Sequence, residues 1–247
     1  MSTLQIKQLT KSFGNDTILE QLDLKVNEGE FVSLLGPSGS GKSTIFHLIG
    51  GLYQPDNGTI TIDGNDIVGK KGSISYMPQS PSLFPWRTVL ENVILAQELF
   101  EKPDKQKAIE MLKRAGLEDY IDNFPAQLSG GMRQRVAFVR SILSPQSLIC
   151  LDEPFSALDE FTRLDMQKWL LSIWEEERPS VLFVTHNIEE AIYLSDRILV
   201  LGARPASVIQ EITIPFNRPR AESLTLTEDF LQIKKSIYQT LRGTGND

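Results

Sequence analysis

Four apolar runs, Phe31-Val32-Ser33-Leu34-Leu35, Leu148-Ile149-Cys150-Leu151, Val181-Leu182-Phe183-Val184 and Ile198-Leu199-Val200-Leu201, are continuous rather than alternating. A strand that carries apolar side chains on both faces is one buried on both faces. Around these runs the spacing becomes helical, with segments at about Lys42 to Gly50, Glu160 to Glu177 and Ile188 to Leu194, the first stopped by Gly50-Gly51. Apolar strands alternating with helices predict a parallel sheet covered on both sides. A different texture fills residues 1–30 and 58–76. There, Leu4-Gln5-Ile6 and Thr59-Ile60-Thr61-Ile62 alternate, with turn signals at Asn57-Gly58 and Asp63-Gly64-Asn65, which predicts antiparallel strands. Residues 86–145 carry little strand pattern, and Val89-Leu90-x-x-Val93-Ile94 and Ala108-Ile109-x-x-Leu112 predict a helical insert. The stretch from Ala203, with Pro205, Pro215, Pro219 and a polar Gly-Thr-Gly-Asn-Asp end, is expected to pack loosely. The fold class is therefore α/β, a parallel sheet core with an antiparallel β part and an inserted helical part.

Composition narrows the setting. At 247 residues the chain is expected to be one compact unit. Hydrophobic residues make up 40% and charged residues 23%, which is ordinary globular usage, and mean hydropathy of −0.16 argues against a membrane-embedded protein. The N-terminus has neither the basic nor the apolar region of a signal peptide, so a cytosolic location is expected. Cys150 is the single cysteine, which excludes an intrachain disulfide, and its apolar neighbours make it a small buried hydrophobe. With two histidines besides, a zinc site is not expected. A net charge of −7 argues against a broad nucleic-acid-binding surface.

The chemistry starts where the first apolar run ends. Gly36-Pro37-Ser38-Gly39-Ser40-Gly41-Lys42-Ser43 satisfies every required position of the pattern G-x-x-x-x-G-K-[ST]. A buried strand running through a glycine-rich turn into a helix aims backbone N–H groups and the positive helix end at one point, where an anion belongs. Gly36, Gly39 and Gly41 let the backbone approach phosphates, Lys42 reaches β- and γ-phosphates, and Ser43 offers a hydroxyl to Mg²⁺.

Phosphoryl transfer also needs a carboxylate for the metal, and such groups sit at the carboxyl end of a buried strand. The run Leu148 to Leu151 leads into Asp152-Glu153. Alone, these acids read equally well as a helix cap. After a complete phosphate loop, Asp152 reads as a metal carboxylate and Glu153 as the group that takes a proton from an attacking water. His186, just past the third run, is placed to hydrogen-bond a γ-phosphate and orient the water, and Gln79 offers an uncharged amide for the same region. His47, within the phosphate-loop helix, reads as structural. Leu128-Ser129-Gly130-Gly131 opens another helix with a cap hydroxyl and bare N–H groups, a second anion seat that is by itself also an ordinary capped helix.

In this order, Gly36 to Ser43, Gln79, Leu128-Ser129-Gly130-Gly131-Met132, Leu148 to Glu153, Ser156-Ala157-Leu158-Asp159 and His186 resemble the ATP-binding subunits of ABC transporters, over residues 4 to 220. The resemblance implies a P-loop NTPase core of the RecA-like kind, an ATPase domain over residues 1–220 with its helical subdomain at about 86–145, and a C-terminal tail over 221–247. It implies ATP and Mg²⁺ as the bound groups. Gly36, Pro37, Ser38, Gly39, Ser40, Gly41, Lys42, Ser43 and Thr44 look like its Walker A segment, Asp152 like its Walker B metal residue and Glu153 like its catalytic base. Gln79 looks like its Q-loop, which meets metal and water, Asp159 like its D-loop and His186 like its switch histidine. Phe13 matches the aromatic that stacks on adenine, usually a tyrosine. Met132 stands where the family most often has glutamine, so only packing is carried over for that side chain.

The resemblance further implies a head-to-tail homodimer in which Ser129, Gly130 and Gly131 of one copy close over ATP held by the other. Phe84-Pro85-Trp86-Arg87-Thr88-Val89-Leu90-Glu91-Asn92-Val93, together with Met132-Arg133-Gln134-Arg135, resembles the group importing nitrate, sulfonates, taurine and related small organic compounds, with the Gln79–Val93 region facing the membrane permease subunits and a solute-binding protein met only indirectly. That places the chain at the cytoplasmic face of the membrane. Export or lipid handling is the alternative direction. A non-transport relative acting on DNA or ribosomes would need coiled-coil arms, a second cassette or a basic surface. A phosphate-loop kinase would not need Ser129-Gly130-Gly131 or Ser156 to Asp159.

Overall fold

In the computed structural model, which describes residues 2–100 and 102–243, the chain runs β1 (Ser2–Phe13), β2 (Asp16–Asn27), β3 (Phe31–Leu35), α1 (Lys42–Ile49), β4 (Asn57–Ile62), β5 (Asn65–Asp66) and β6 (Ser75–Met77). The helical part follows as α2 (Val89–Val93), α3 (Leu95–Phe100), α4 (Lys105–Arg114) and α5 (Gly130–Ile142). Then come β7 (Leu148–Asp152), α6 (Glu160–Glu177), β8 (Ser180–Thr185), α7 (Ile188–Leu194), β9 (Arg197–Leu201), β10 (Val208–Thr213) and α8 (Glu228–Gly243).

The four continuous apolar runs are β3, β7, β8 and β9, and every residue of the first three is buried. They lie in a six-stranded sheet of order β10-β9-β3-β8-β7-β6, with β3, β6, β7, β8 and β9 parallel and β10 antiparallel to β9. The alternating segments form the second, antiparallel sheet, β2-β1-β4-β5. Leu4, Ile6, Leu22 and Leu24 of that sheet share one core with Val32, Leu34, Ile45 and Phe46. On the opposite face of the main sheet, Phe31, Phe183, Leu170 and Trp174 form a second core, which closes over the sheet with α6.

The helical insert is held to the sheet rather than hung from it. In α5, Ala137 and Phe138 face the sheet core, while Val136 and Val139 face the helical core of Val89, Val93 and Leu112. Thr88 and Glu91 form a reciprocal capping box that starts α2, and the Asn92 amide bonds the carbonyls of Phe84, Arg87 and Thr88, fixing the turn before it.

Two expectations are corrected. Ser75 and Tyr76, read with the antiparallel strands, belong to β6, which pairs parallel with β7; three residues are too short a run to carry a periodicity. The segment after Ala203 is not loosely packed. Arg220, 7% exposed, donates to Ile192 O at 3.0 Å and Tyr193 O at 2.8 Å, satisfying carbonyls that the end of α7 leaves open. Burial pulls its guanidinium down to about 10. Phe230 and Ile237 of α8 share a core with Leu35, Ala191 and Val200, so residues 221–243 pack as part of the unit. Residues 244–247, the polar end, lie outside the described residues.

At the amino end of the sheet, Arg197 Nε and Nη2 bond Glu30 Oε1 at 2.8 Å and Oε2 at 3.0 Å, tying β9 to the entrance of β3. Burial pushes the Glu30 carboxyl up, but the Arg197 and Asn27 hydrogen bonds and the Arg197 charge outweigh it and hold the group below the usual glutamate range. A lowered carboxylate contributes stability above its unfolded value and loses it as pH falls through its folded value. Replacing Glu30 by Gln is therefore expected to cost about 1–3 kcal/mol in urea unfolding at neutral pH. The gap to the parent should shrink in acid, where the parent carboxyl also protonates; an equal gap at both pH values would refute this.

Candidate active site

The phosphate loop occupies the turn from β3 into α1. Gly41 stands at the N-cap of α1 with φ of 94°, no side chain caps that end, and its first turn holds no acid. The amide N–H groups there are left for an external anion. A Cβ on Gly41 would lie 2.7 Å from Ile18 Cγ2, so both conformation and space demand glycine. Lys42, 7% exposed, donates to Gly36 O and Pro37 O, each at 2.9 Å. Burial pulls its ammonium group below the usual lysine range, against the pull of the Glu153 and Asp152 charges.

Asp152 ends β7 with 8% exposure. Burial pushes its carboxyl up, opposed by hydrogen bonds from Tyr76 and Ser43. The Tyr76 Oη bond measures 3.2 Å, and Tyr76 is itself pushed up by burial and by Asp152. Next to it, Glu153 takes φ of 43°, a left-handed conformation that costs a non-glycine residue about 1–3 kcal/mol. Its own N–H is held by Val184 O at 2.9 Å. Glu153 reaches His186, whose Nδ1 lies 3.0 Å from Glu153 Oε2. Gln79 Nε2 donates to Ser156 Oγ at 3.0 Å, and Ser156 Oγ donates to Glu153 O at 2.9 Å. The structure thus brings Lys42, Ser43, Asp152, Glu153, His186 and Gln79 to one edge of the sheet.

His186 is framed by buried groups. Thr185 Oγ1 donates to Glu190 Oε2 at 2.6 Å and accepts from Asn187 N at 3.0 Å. Glu190 Oε1 faces Arg163 Nε at 3.8 Å, and Arg163 Nη2 donates to Leu158 O at 2.9 Å. A polar chain therefore joins the loop before Asp159 to the loop holding His186. Asp159 caps α6 by accepting from Thr162 N at 3.0 Å, and bonds from Thr162 hold its carboxyl below the usual range.

Two expected contributors stand apart. Ser129 caps α5 by accepting from Met132 N at 3.2 Å. Among the described residues no hydrogen bond joins Ser129, Gly130 or Gly131 to the segment Gly36 to Thr44. A Cβ on Gly130 would meet nothing within 4 Å, so nothing inside the chain calls for glycine there. Phe13, 44% exposed, sits edge-on to Tyr53 with ring centroids 5.3 Å apart, and Tyr53 packs in the same way on His47. That aromatic corner lies on the antiparallel sheet, beside α1.

Sequence reasoning missed Tyr76, Arg163, Glu190 and Arg204, whose Nε donates to Gly39 O. None lies in a phosphate-binding pattern. The one available signal was position, Glu190 falling four residues after His186 at the start of a helix.

Comparison with known proteins accords with this geometry. Residues 19–156, more than half of the chain, match the ABC transporter family. The aliphatic sulfonates import ATP-binding protein SsuB of Bacillus cereus is 39% identical over 241 residues, 96% of this chain and 95% of that protein. The formylaminopyrimidine import ATP-binding protein ThiZ of Halalkalibacterium halodurans is 42% identical over 228 residues, 91% of this chain and 88% of that one. A dimeric ATP-binding cassette in a post-hydrolysis state, bound to ADP and Pi, shares 32% identity at a TM-score of 0.73, covering 87% of this chain and 100% of its own. With its phosphate loop, paired acids and histidine gathered at one sheet edge, the chain belongs to the ABC transporter family, as an ATP-hydrolysing ATP-binding subunit.

Proposed function

We propose that the chain is the motor of an importer for a small organic compound or anion of the sulfonate, taurine or nitrate kind, working as a homodimer at the cytoplasmic face of a membrane. The observation that carries the hydrolytic half is the Glu153–His186 contact at 3.0 Å beside the Asp152–Ser43 pair. The import half is supported by relatives named for import of sulfonates and of formylaminopyrimidine.

Lys42 exchanges its two loop carbonyls for the β- and γ-phosphates, a move favoured because a buried ammonium group gains a counter-charge. Ser43 and Asp152 fit a divalent cation: a buried carboxyl pushed up by desolvation is one short of positive charge. Gln79 Oε1 accepts no hydrogen bond among the described residues and is free to join them. Mg²⁺ held there would neutralise charge on the β- and γ-oxygens. Glu153 takes the proton of the attacking water, and His186, the more exposed of the pair, meets the γ-phosphate. Phe13 offers a π face to adenine.

Dimer formation is supported by the open space over Gly130 and by the dimeric state of the similar cassette. In that arrangement Ser129, Gly130 and Gly131 of one copy, with Asp159, complete the nucleotide site of the other. Toward the membrane, Phe84 and Trp86 are 37% and 69% exposed, close in sequence to Gln79. Two aromatic rings in contact at 5.1 Å make an anchor for a permease helix, through which an extracytoplasmic solute-binding protein is served indirectly.

Glu153→Gln is expected to keep ATP binding, lower turnover at least about 100-fold and accumulate a dimer on size exclusion with ATP. Unchanged turnover would sink the assignment of the base. Trp86→Ala is expected to lower solute uptake by about tenfold in vesicles carrying the whole transporter, while ATPase of the isolated subunit stays within about twofold. Uptake equal to the parent would remove Trp86 from the permease contact.

A further inference from the structure

The phosphate loop is held very differently at its base and at its tip. At the base, a Cβ on Gly36 would lie 3.0 Å from both Leu201 Cβ and Ser40 Oγ, so the backbone is pressed against β9. Gly41 is pressed equally against Ile18 of β2. At the tip, Pro37, Ser38 and Gly39 are exposed. A Cβ on Gly39 would meet one heavy atom within 4 Å, Arg204 Nη2 at 4.0 Å. A cavity of about 400 Å³, bounded by Pro37 to Ser40, Ala203, Arg204 and Leu241, lies where packing would otherwise support the loop.

Arg204 takes over that support. Its Nε donates to Gly39 O, while the N–H at the other end of the same peptide unit, on Ser40, donates to Pro37 O at 3.2 Å. The Gly39-Ser40 peptide is thereby fixed at both ends. Gly39 has φ of 80° and, as glycine, no intrinsic preference that would hold this orientation. The turn that carries Arg204 is pinned by backbone hydrogen bonds on either side of it. The turn between β9 and β10 closes through Gly202 N to Ser207 O at 3.1 Å, and Ala206 is bonded to β2 through its N to Ile18 O at 2.8 Å and its O to Glu20 N at 3.2 Å.

Two cations therefore hold three loop carbonyls, Lys42 those of Gly36 and Pro37, and Arg204 that of Gly39. Lys42 leaves its carbonyls when a nucleotide enters. Arg204 does not have to, since it holds the loop by a carbonyl and leaves the N–H groups at the start of α1 free for the anion. We infer that Arg204 is a positioning residue for nucleotide binding, which presets the tip of the phosphate loop in the conformation that receives a triphosphate. The inference rests on the ATP reading of this site and adds to it a residue outside every nucleotide-binding motif in the chain.

A loop that samples other conformations binds with an affinity reduced by the competent fraction, whereas chemistry in the bound state is untouched. Loss of Arg204 should therefore raise the dissociation constant and KM for ATP and leave kcat alone. The experiment measures binding of a fluorescent ATP analogue, steady-state ATPase and thermal unfolding for the parent, Arg204→Ala, Arg204→Gln and Arg204→Lys. Expected for Arg204→Ala is a roughly fivefold weaker binding and higher KM, with kcat within about twofold of the parent and an unchanged unfolding temperature. Arg204→Lys, which still brings a charged donor, should bind within about twofold of the parent. If the alanine variant does not fold, the comparison of Lys with Gln decides: Gln weaker than Lys supports the role, and equal binding overturns it. ATP affinity equal to the parent in Arg204→Ala overturns it, as does a loss that follows the unfolding temperature and is not recovered by lysine. A parent chain that binds no ATP would instead overturn the ATP reading, so the two failures are distinguishable.

Discussion

Parallel pairing decides where chemistry is possible in this molecule. In register, Leu35 of β3 lies beside Thr185 of β8, and Val184 of β8 beside Asp152 of β7. The residues that follow these partners must leave the sheet at the same edge. Gly36 to Gly41, Glu153 and His186 are therefore neighbours because three buried strands run the same way, although a long stretch of chain separates the first from the others. A parallel sheet needs crossovers; their helices cover one face of β3, β7 and β8, and α1 with the antiparallel sheet covers the other. Ligands collect outside such carboxyl ends because backbone groups and helix N-termini converge there.

Burial at that edge leaves charges without full counter-charges. Lys42 is held by neutral carbonyls instead of a carboxylate, and Asp152 by hydroxyl groups instead of a cation. Each is disfavoured by desolvation in the direction that an arriving anion or cation relieves. Glu153 adds backbone strain, held by its bond to Val184 and by the Ser156 turn. The polar chain through Arg163, Glu190 and Thr185 then fixes His186 relative to the loop before Asp159. Geometry at one end of α6 is thus tied to geometry at the start of α7.

Much of this was readable in advance. The continuous runs became the buried strands, the alternating segments the second sheet, and residues 86–145 the helical part from α2 to α5. The segment after Ala203 was misread because its order comes from partners distant in sequence. Arg220 reaches back to carbonyls of α7, and Phe230 and Ile237 fill a core built by Leu35 and Val200; proline content does not report either. Ser75 to Met77 were misread because a three-residue strand takes its direction from its neighbour β7, not from its own pattern.

Read along the chain alone, Gly36 to Ser43, Asp152, Glu153 and His186 already stood out as the proposed site, because glycines, a lysine and strand-ending acids are what local backbone geometry and the charge of a phosphate call for. Tertiary structure alone decided that Tyr76 would face Asp152, that Arg163 and Glu190 would frame His186, and that Arg204 would hold Gly39. Each of these is a single polar side chain meeting a partner on another element. A partner of that kind is chosen by how layers pack, and nothing in the spacing of residues along the chain records it.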